Sequence, residues 1–104
     1  MANELKRATG VATTAGVTIY TVPVGATATI IGCRASNKTT TTPTRVHFTL
    51  NGVFVSGAGI YLPESSSIDI LVGGKIVAEA GDELIAFADD NAVVDVHVSY
   101  LEQS

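Results

Sequence analysis

A single cysteine, Cys33, stands in the whole sequence. No disulfide can therefore form within the chain, and the cross-linked framework of small secreted scaffolds is excluded. Tryptophan is missing altogether, and three tyrosines and three phenylalanines complete the aromatic set, a thin supply for a carbohydrate-stacking platform. Positive charge is scarce too, with six Lys plus Arg against ten Asp plus Glu and a formal net charge of -4. A nucleic-acid surface needs clustered cations to neutralise phosphates; the one adjacent basic pair is Lys6-Arg7, so nucleic acid is not expected as a partner. No apolar run approaches the roughly eighteen residues of a membrane-crossing helix. The opening MANELKRATG carries no apolar segment behind its basic pair and does not read as a signal peptide. Charge of either sign amounts to 15% of residues, against about a quarter in an ordinary soluble domain.

What is present is one domain's worth of alternating sequence. The 104 residues suffice for a single real core but not two, and an apolar share of 46% excludes global disorder. The dominant period is two. Residues 17–22 read as a short strand stopped by Pro23-Val24-Gly25. Residues 27–36 follow, with Ile31, Cys33 and Ala35 on one face, and the polar NKTTTTP at 37–43 makes a loop. Residues 45–50 alternate cleanly: Val46, Phe48 and Leu50 on one face, Arg45, His47 and Thr49 on the other. Asn51-Gly52 is the strongest short hairpin signal, because both residues tolerate positive φ, and 53–55 return. Residues 60–62, 67–72, 75–78, 83–88 and 93–100 complete the set, divided by Gly57-Ala58-Gly59, Pro63-Glu64-Ser65, Gly73-Gly74, Ala80-Gly81-Asp82 and Asp89-Asp90-Asn91. About eight short strands with turns between them predict an all-β domain, a single antiparallel β-sandwich or jelly roll. The sandwich is placed at 17–104, with 1–16 as an arm that is partly flexible or orders on docking.

Two strands bear on assembly. In 93–100, Val94, Val96, Val98 and Tyr100 share one face while Asp95, His97 and Ser99 share the other, as a half-buried strand requires. In 83–88, Leu84 and Ala86 point one way and Ile85 and Phe87 the other, so both faces are apolar. Either a neighbouring subunit covers the outside, gaining roughly 25 cal/mol per Å² of apolar surface removed from water, or a loop of the same chain does. With the low charge density, the first alternative predicts a homo-oligomer with Ile85, Phe87, Arg45, His47, His97 and Tyr20 at the interface.

Catalytic and metal chemistry find little footing. His47 and His97 would approach only if their strands were neighbours, and even with Asp95 nothing completes a zinc set. Cys33 reads as a small buried hydrophobe, with Arg34 on the opposite face and unable to activate it. The glycine pairs lack the strand-to-helix context of a phosphate cradle. The acids at Glu79, Asp82, Glu83, Asp89 and Asp90 lack calcium-loop spacing and read first as turn residues, a weak cation site being the alternative. No catalytic residue, metal ligand or cofactor is expected.

The order Ile19-Tyr20-Thr21-Val22-Pro23-Val24-Gly25, then 28–37 ending in Cys33-Arg34-Ala35-Ser36-Asn37, resembles small all-β virion proteins of tailed bacteriophages. Leu62-Pro63, 66–71, Gly74-Lys75, Glu79-Ala80-Gly81-Asp82 and the closing Val96-His97-Val98-Ser99-Tyr100-Leu101-Glu102 extend the resemblance over about residues 17–102. Cys33, where such proteins carry a small apolar residue, and Arg34 beside it depart from the pattern. The resemblance implies a non-enzymatic virion component of the head surface, neck or tail, usually oligomeric; a homotrimer is the assembly favoured here. It would bind the major capsid protein or neck and tail proteins; the resemblance does not fix the position in the particle, and the small, self-contained chain puts head decoration slightly ahead of neck or tail attachment. A glycan-binding module using loops and Tyr61 is the alternative from another class.

Overall fold

The computed structural model describes residues 3–55, 59–71, 75–91 and 93–103. Within them the chain forms ten strands: β1 (Asn3–Val11), β2 (Val17–Thr21), β3 (Thr27–Asn37), β4 (Thr44–Leu50), β5 (Val53–Phe54), β6 (Ile60–Leu62), β7 (Ser67–Asp69), β8 (Ile76–Ala78), β9 (Glu83–Ala88) and β10 (Val94–Gln103). Sheet A runs β1-β10-β3-β7, with β8 also on β3; sheet B runs β2-β9-β4-β5, with β6 also on β4. Every pairing between these strands is antiparallel.

The short strands are two interrupted edges. β6 pairs with 44–46 of β4 and β5 with 49–50, while β7 pairs with 34–36 of β3 and β8 with 28–30. Counting each broken edge once leaves eight strand positions, with the chain crossing from sheet to sheet in the manner of a jelly roll. The all-β sandwich expected from the sequence is the fold observed. The expected breaks at Gly57-Ala58 and Gly73-Gly74, and the strand end at Val72, lie outside the described residues.

The core lies between the sheets and is built from the inward residues of each strand. Val46, Phe48, Leu62 and Leu84 of sheet B meet Ile30, Val94, Val96 and Val98 of sheet A. The hairpin after β4 turns as its sequence requires, with Asn51 at φ 53° and Gly52 at φ 77°. Buried Asn37 organises the polar loop behind it. Its amide nitrogen donates to the carbonyls of Thr42 and Leu62, and its amide oxygen accepts from the Thr39 N–H and hydroxyl.

Three expectations are corrected. Residues 3–11 are no arm: they form β1, in unbroken register with β10 from Asn3↔Gln103 to Val11↔Asp95. Inward-facing Ala8, Gly10 and Ala12 are small because β2 crosses close by; a Cβ on Gly10 would lie 2.5 Å from Ile19 Cδ1. Second, Ile31 does not share a face with Cys33 and Ala35. Ile30 pairs Tyr100 while Gly32 pairs Ser99, so Ile31 is an extra residue on β3 and the side-chain parity switches there. Third, Tyr20 is spent inside the subunit and is not available to an interface. It stacks on Tyr100 at 3.9 Å between the sheets and donates its hydroxyl to Glu102 Oε1 at 2.7 Å.

Candidate assembly surface

Four of the six interface residues expected from the sequence come together on the outer face of sheet B. Register sets them side by side: His47 opposite Phe87, Thr49 opposite Ile85 and also Phe54, Arg45 opposite Tyr61. The imidazole of His47 lies nearly parallel between two rings, 4.5 Å from Phe87 at 8° and 4.9 Å from Phe54 at 10°. Phe54 reaches it along the diagonal that long side chains can span across a strand pair. Thr49 beneath them is buried although it faces outward. Beyond the stack, the Arg45 guanidinium sits 5.8 Å from the Tyr61 ring centroid and donates to the Gly59 carbonyl.

Part of this face is covered by the chain itself. The segment leading into β2 runs beside the end of β9, with a parallel bridge between Thr13 and Phe87 and the Ala88 N–H donating to the Thr13 carbonyl. Gly16, at φ 92°, passes so close that a Cβ there would lie 2.5 Å from Phe87 Cε2 and 3.0 Å from Ile85 Cγ2. Ile85 and Phe87 are therefore half-buried within the subunit. The remainder of the face stays open: Tyr61 is 55% exposed and Phe54 49%. The loop covers one flank of the doubly apolar strand and leaves an aromatic patch beside it.

His97 is elsewhere. β10 belongs to sheet A, so the two histidines stand on opposite outer faces of the sandwich and their rings do not meet. His97 sits in a cross-strand row with Thr9, Arg34 and Asp69. Around this row lies an open trough of about 540 Å³ lined by Gly32, Cys33, Arg34, Ser36, Asp69, His97 and Ser99. Its floor is small and polar, the reverse of the aromatic face. Asp95 pairs with Lys38 at 3.0 Å.

The chemistry of the remaining candidates is quiet. Burial, with a smaller contribution from Asp69, pushes the Cys33 thiol up to about 12, the opposite of what a nucleophile needs. Among the described residues no three His, Cys, Asp or Glu side chains gather as a metal site. Asp82 spends its carboxylate on its own turn, accepting from the Glu79 N–H at 2.9 Å. What sequence reasoning missed is Phe54, the outer ring of the stack. Its signal was the Asn51-Gly52 turn, which fixes the hairpin register and so carries Phe54 onto the face of Thr49.

No protein-family model matches the chain, and no curated protein matches it. Among solved structures it is similar to one described as "Bacillus endospore appendages form a novel family of disulfide-linked pili". The TM-score is 0.51 at 13% identity, covering 99% of this chain and 87% of that one. At this identity the likeness concerns the fold.

Proposed function

We propose that the chain is a non-enzymatic structural subunit that self-assembles through the outer face of sheet B, and that its setting is a tailed-phage virion, as a decoration protein on the head. The observation that carries the assembly reading is the Phe87–His47–Phe54 stack with Ile85 beside it, flanked by exposed Tyr61. A contiguous aromatic patch of this kind is what subunit interfaces select for at their centres. The virion setting rests on the sequence resemblance over residues 17–102, which implies an oligomer; a trimer is the assembly proposed. The major capsid protein is the partner this reading names, with neck or tail attachment as its nearest variant.

The appendage protein is a structural component too, but its disulfide linkage does not transfer. Cys33 is buried between the sheets, with its thiol held protonated. A glycan-binding role has one observation in its favour, the exposed Tyr61 and Phe54 rings on a single face. Immunogold labelling of purified particles with an antibody to this chain tests the setting. Gold on heads fits decoration, gold at the neck or tail moves the subunit there, and unlabelled particles reject the virion reading. Glycan-array binding that is competed by free sugar and lost in Tyr61→Ala would replace the assembly reading with the lectin one.

A further inference from the structure

Among the described residues, β1 is a nine-residue edge strand, free of bulges, paired along its length with β10 on one side only. Such an edge presents unpaired backbone donors and acceptors, which natural sheets ordinarily blunt. Its outward side chains are Leu5, Arg7, Thr9 and Val11. Leu5 is 72% exposed and Val11 38%, so both large apolar groups of the strand face solvent. They stand three residues either side of Ala8.

We infer that β1 pairs antiparallel with β1 of a second copy of this chain, about a two-fold axis at Ala8, joining two A sheets edge to edge. The register follows from elementary constraints. A two-fold axis perpendicular to the sheet must pass through a residue that lies opposite its own copy. Centred on Lys6 or Arg7, the pairing sets like charges directly opposite, which is destabilising. Centred on Leu5 or Thr9, it overlaps only residues 3–7 or 7–11 of the strand. Centred on Ala8, residues 5–11 pair, Leu5 meets Val11 at both ends, Arg7 meets Thr9, and Lys6 meets Gly10. The exposed apolar pair is thus self-complementary, and the two cations select the register instead of blocking the edge. Lys6 is in addition neutralised by Glu102 at 2.9 Å and Glu4 at 3.5 Å. The inference stands apart from the virion reading and from the sheet B face, since it uses a different part of the surface.

The register can be read by disulfide trapping on the full chain. Residues directly opposite across an antiparallel pair lie about 4.5–5.5 Å apart at Cα, within disulfide reach. Leu5 and its own copy would be about 20 Å apart at roughly 3.4 Å per residue. Leu5→Cys and Val11→Cys chains are purified separately, then equilibrated together and oxidised with copper-phenanthroline. The wild-type chain, with Cys33 buried, serves as the blank. A covalent dimer from the mixture, several-fold stronger than from either variant alone, is the expected result. No dimer band from the mixture, or an equal band from Leu5→Cys alone, overturns the inference. Loss of the band while the chain still sediments as an oligomer would overturn the edge pairing and leave assembly through sheet B standing. A second readout has the opposite sign. The two Arg7 side chains sit diagonally across the axis, so Arg7→Thr should tighten association; weakened association contradicts the register.

Discussion

On sheet A the outward residues around an open polar trough of about 540 Å³ include Arg34, Ser36, His97 and Ser99, with exposed Leu5, Val11, Ile31 and Val77 elsewhere on that face. On sheet B the outward residues of β4 and β9 are His47, Thr49, Ile85 and Phe87, closed over by Phe54. The inward faces of the same strands are nearly interchangeable, apolar at alternate positions and sealed from solvent. The contrast teaches that the inner faces of this jelly roll solve the folding problem while the outer faces differ in kind. One is polar along its central strands, with its exposed apolar residues away from the trough; the other carries three stacked rings at its centre. If so, substitutions inside should cost stability, and substitutions outside on sheet B should cost assembly.

The largest effect tests the inner half of that contrast. Phe48→Ala removes a ring with no solvent exposure from the centre of β4 and should cost about 3–5 kcal/mol. That is a large part of a small domain's stability, visible as a steep fall in denaturation midpoint by circular dichroism. A loss below about 1 kcal/mol would mean the sheets do not pack as described. A smaller effect has the other sign. The Thr44 hydroxyl is buried on the same inward face without a hydrogen-bond partner. Thr44→Val should therefore raise stability by about 1 kcal/mol, since leaving such a group unsatisfied costs roughly 1–3 kcal/mol; a drop would show that the hydroxyl is satisfied after all.

A third test concerns the end of the sandwich, where the two sheets are tied by Tyr20, Glu102 and Lys6. The Tyr20 hydroxyl, then the Lys6 ammonium, hold the Glu102 carboxyl below its ordinary 4.5. A depressed carboxyl contributes stability above its unfolded value and loses it as pH falls through the folded one. Tyr20 is shifted the other way, raised above 10.0 first by burial and then by its bond to Glu102, so its contribution is present below pH 10 and fades above it. Melting temperature should accordingly hold a plateau from about pH 5 to 10 and fall on both sides, with the acid fall shallower in Glu102→Gln. Identical acid limbs in the two chains would remove Glu102 from the account.

Much of this was legible in the sequence because turn chemistry is local. Asn51-Gly52 and Gly81 all adopt positive φ, and the strands between the turns fall where the alternation put them. What was hidden depends on distant partners. β1 carries Ala8 and Gly10 inward, followed by Ala12 just past its end, so the close approach of β2 replaced the large apolar residues that would have announced a strand. The extra residue at Ile31 flips parity in mid-strand, which no period-two count can anticipate. Tyr20 looked like an interface residue because its partners, Tyr100 and Glu102, are some eighty positions away and meet it only once the sheets face each other. The pairing of Ile85 with Phe87 and of Arg45 with His47 was readable from parity alone. That β4 and β9 are neighbours, and so make one surface of the four, required the topology.

As proposed, sheet B's outer face, and not sheet A's, holds subunits together. Light scattering on the wild-type chain, Phe87→Ser and His97→Ser, each at two concentrations and with folding checked by circular dichroism, tests it most directly. The expected result is a wild-type mass well above the 10.7 kDa of one chain and stable on dilution, unchanged in His97→Ser and markedly reduced in a folded Phe87→Ser. A wild-type monomer, or a Phe87→Ser chain that assembles as well as the wild type, would contradict it.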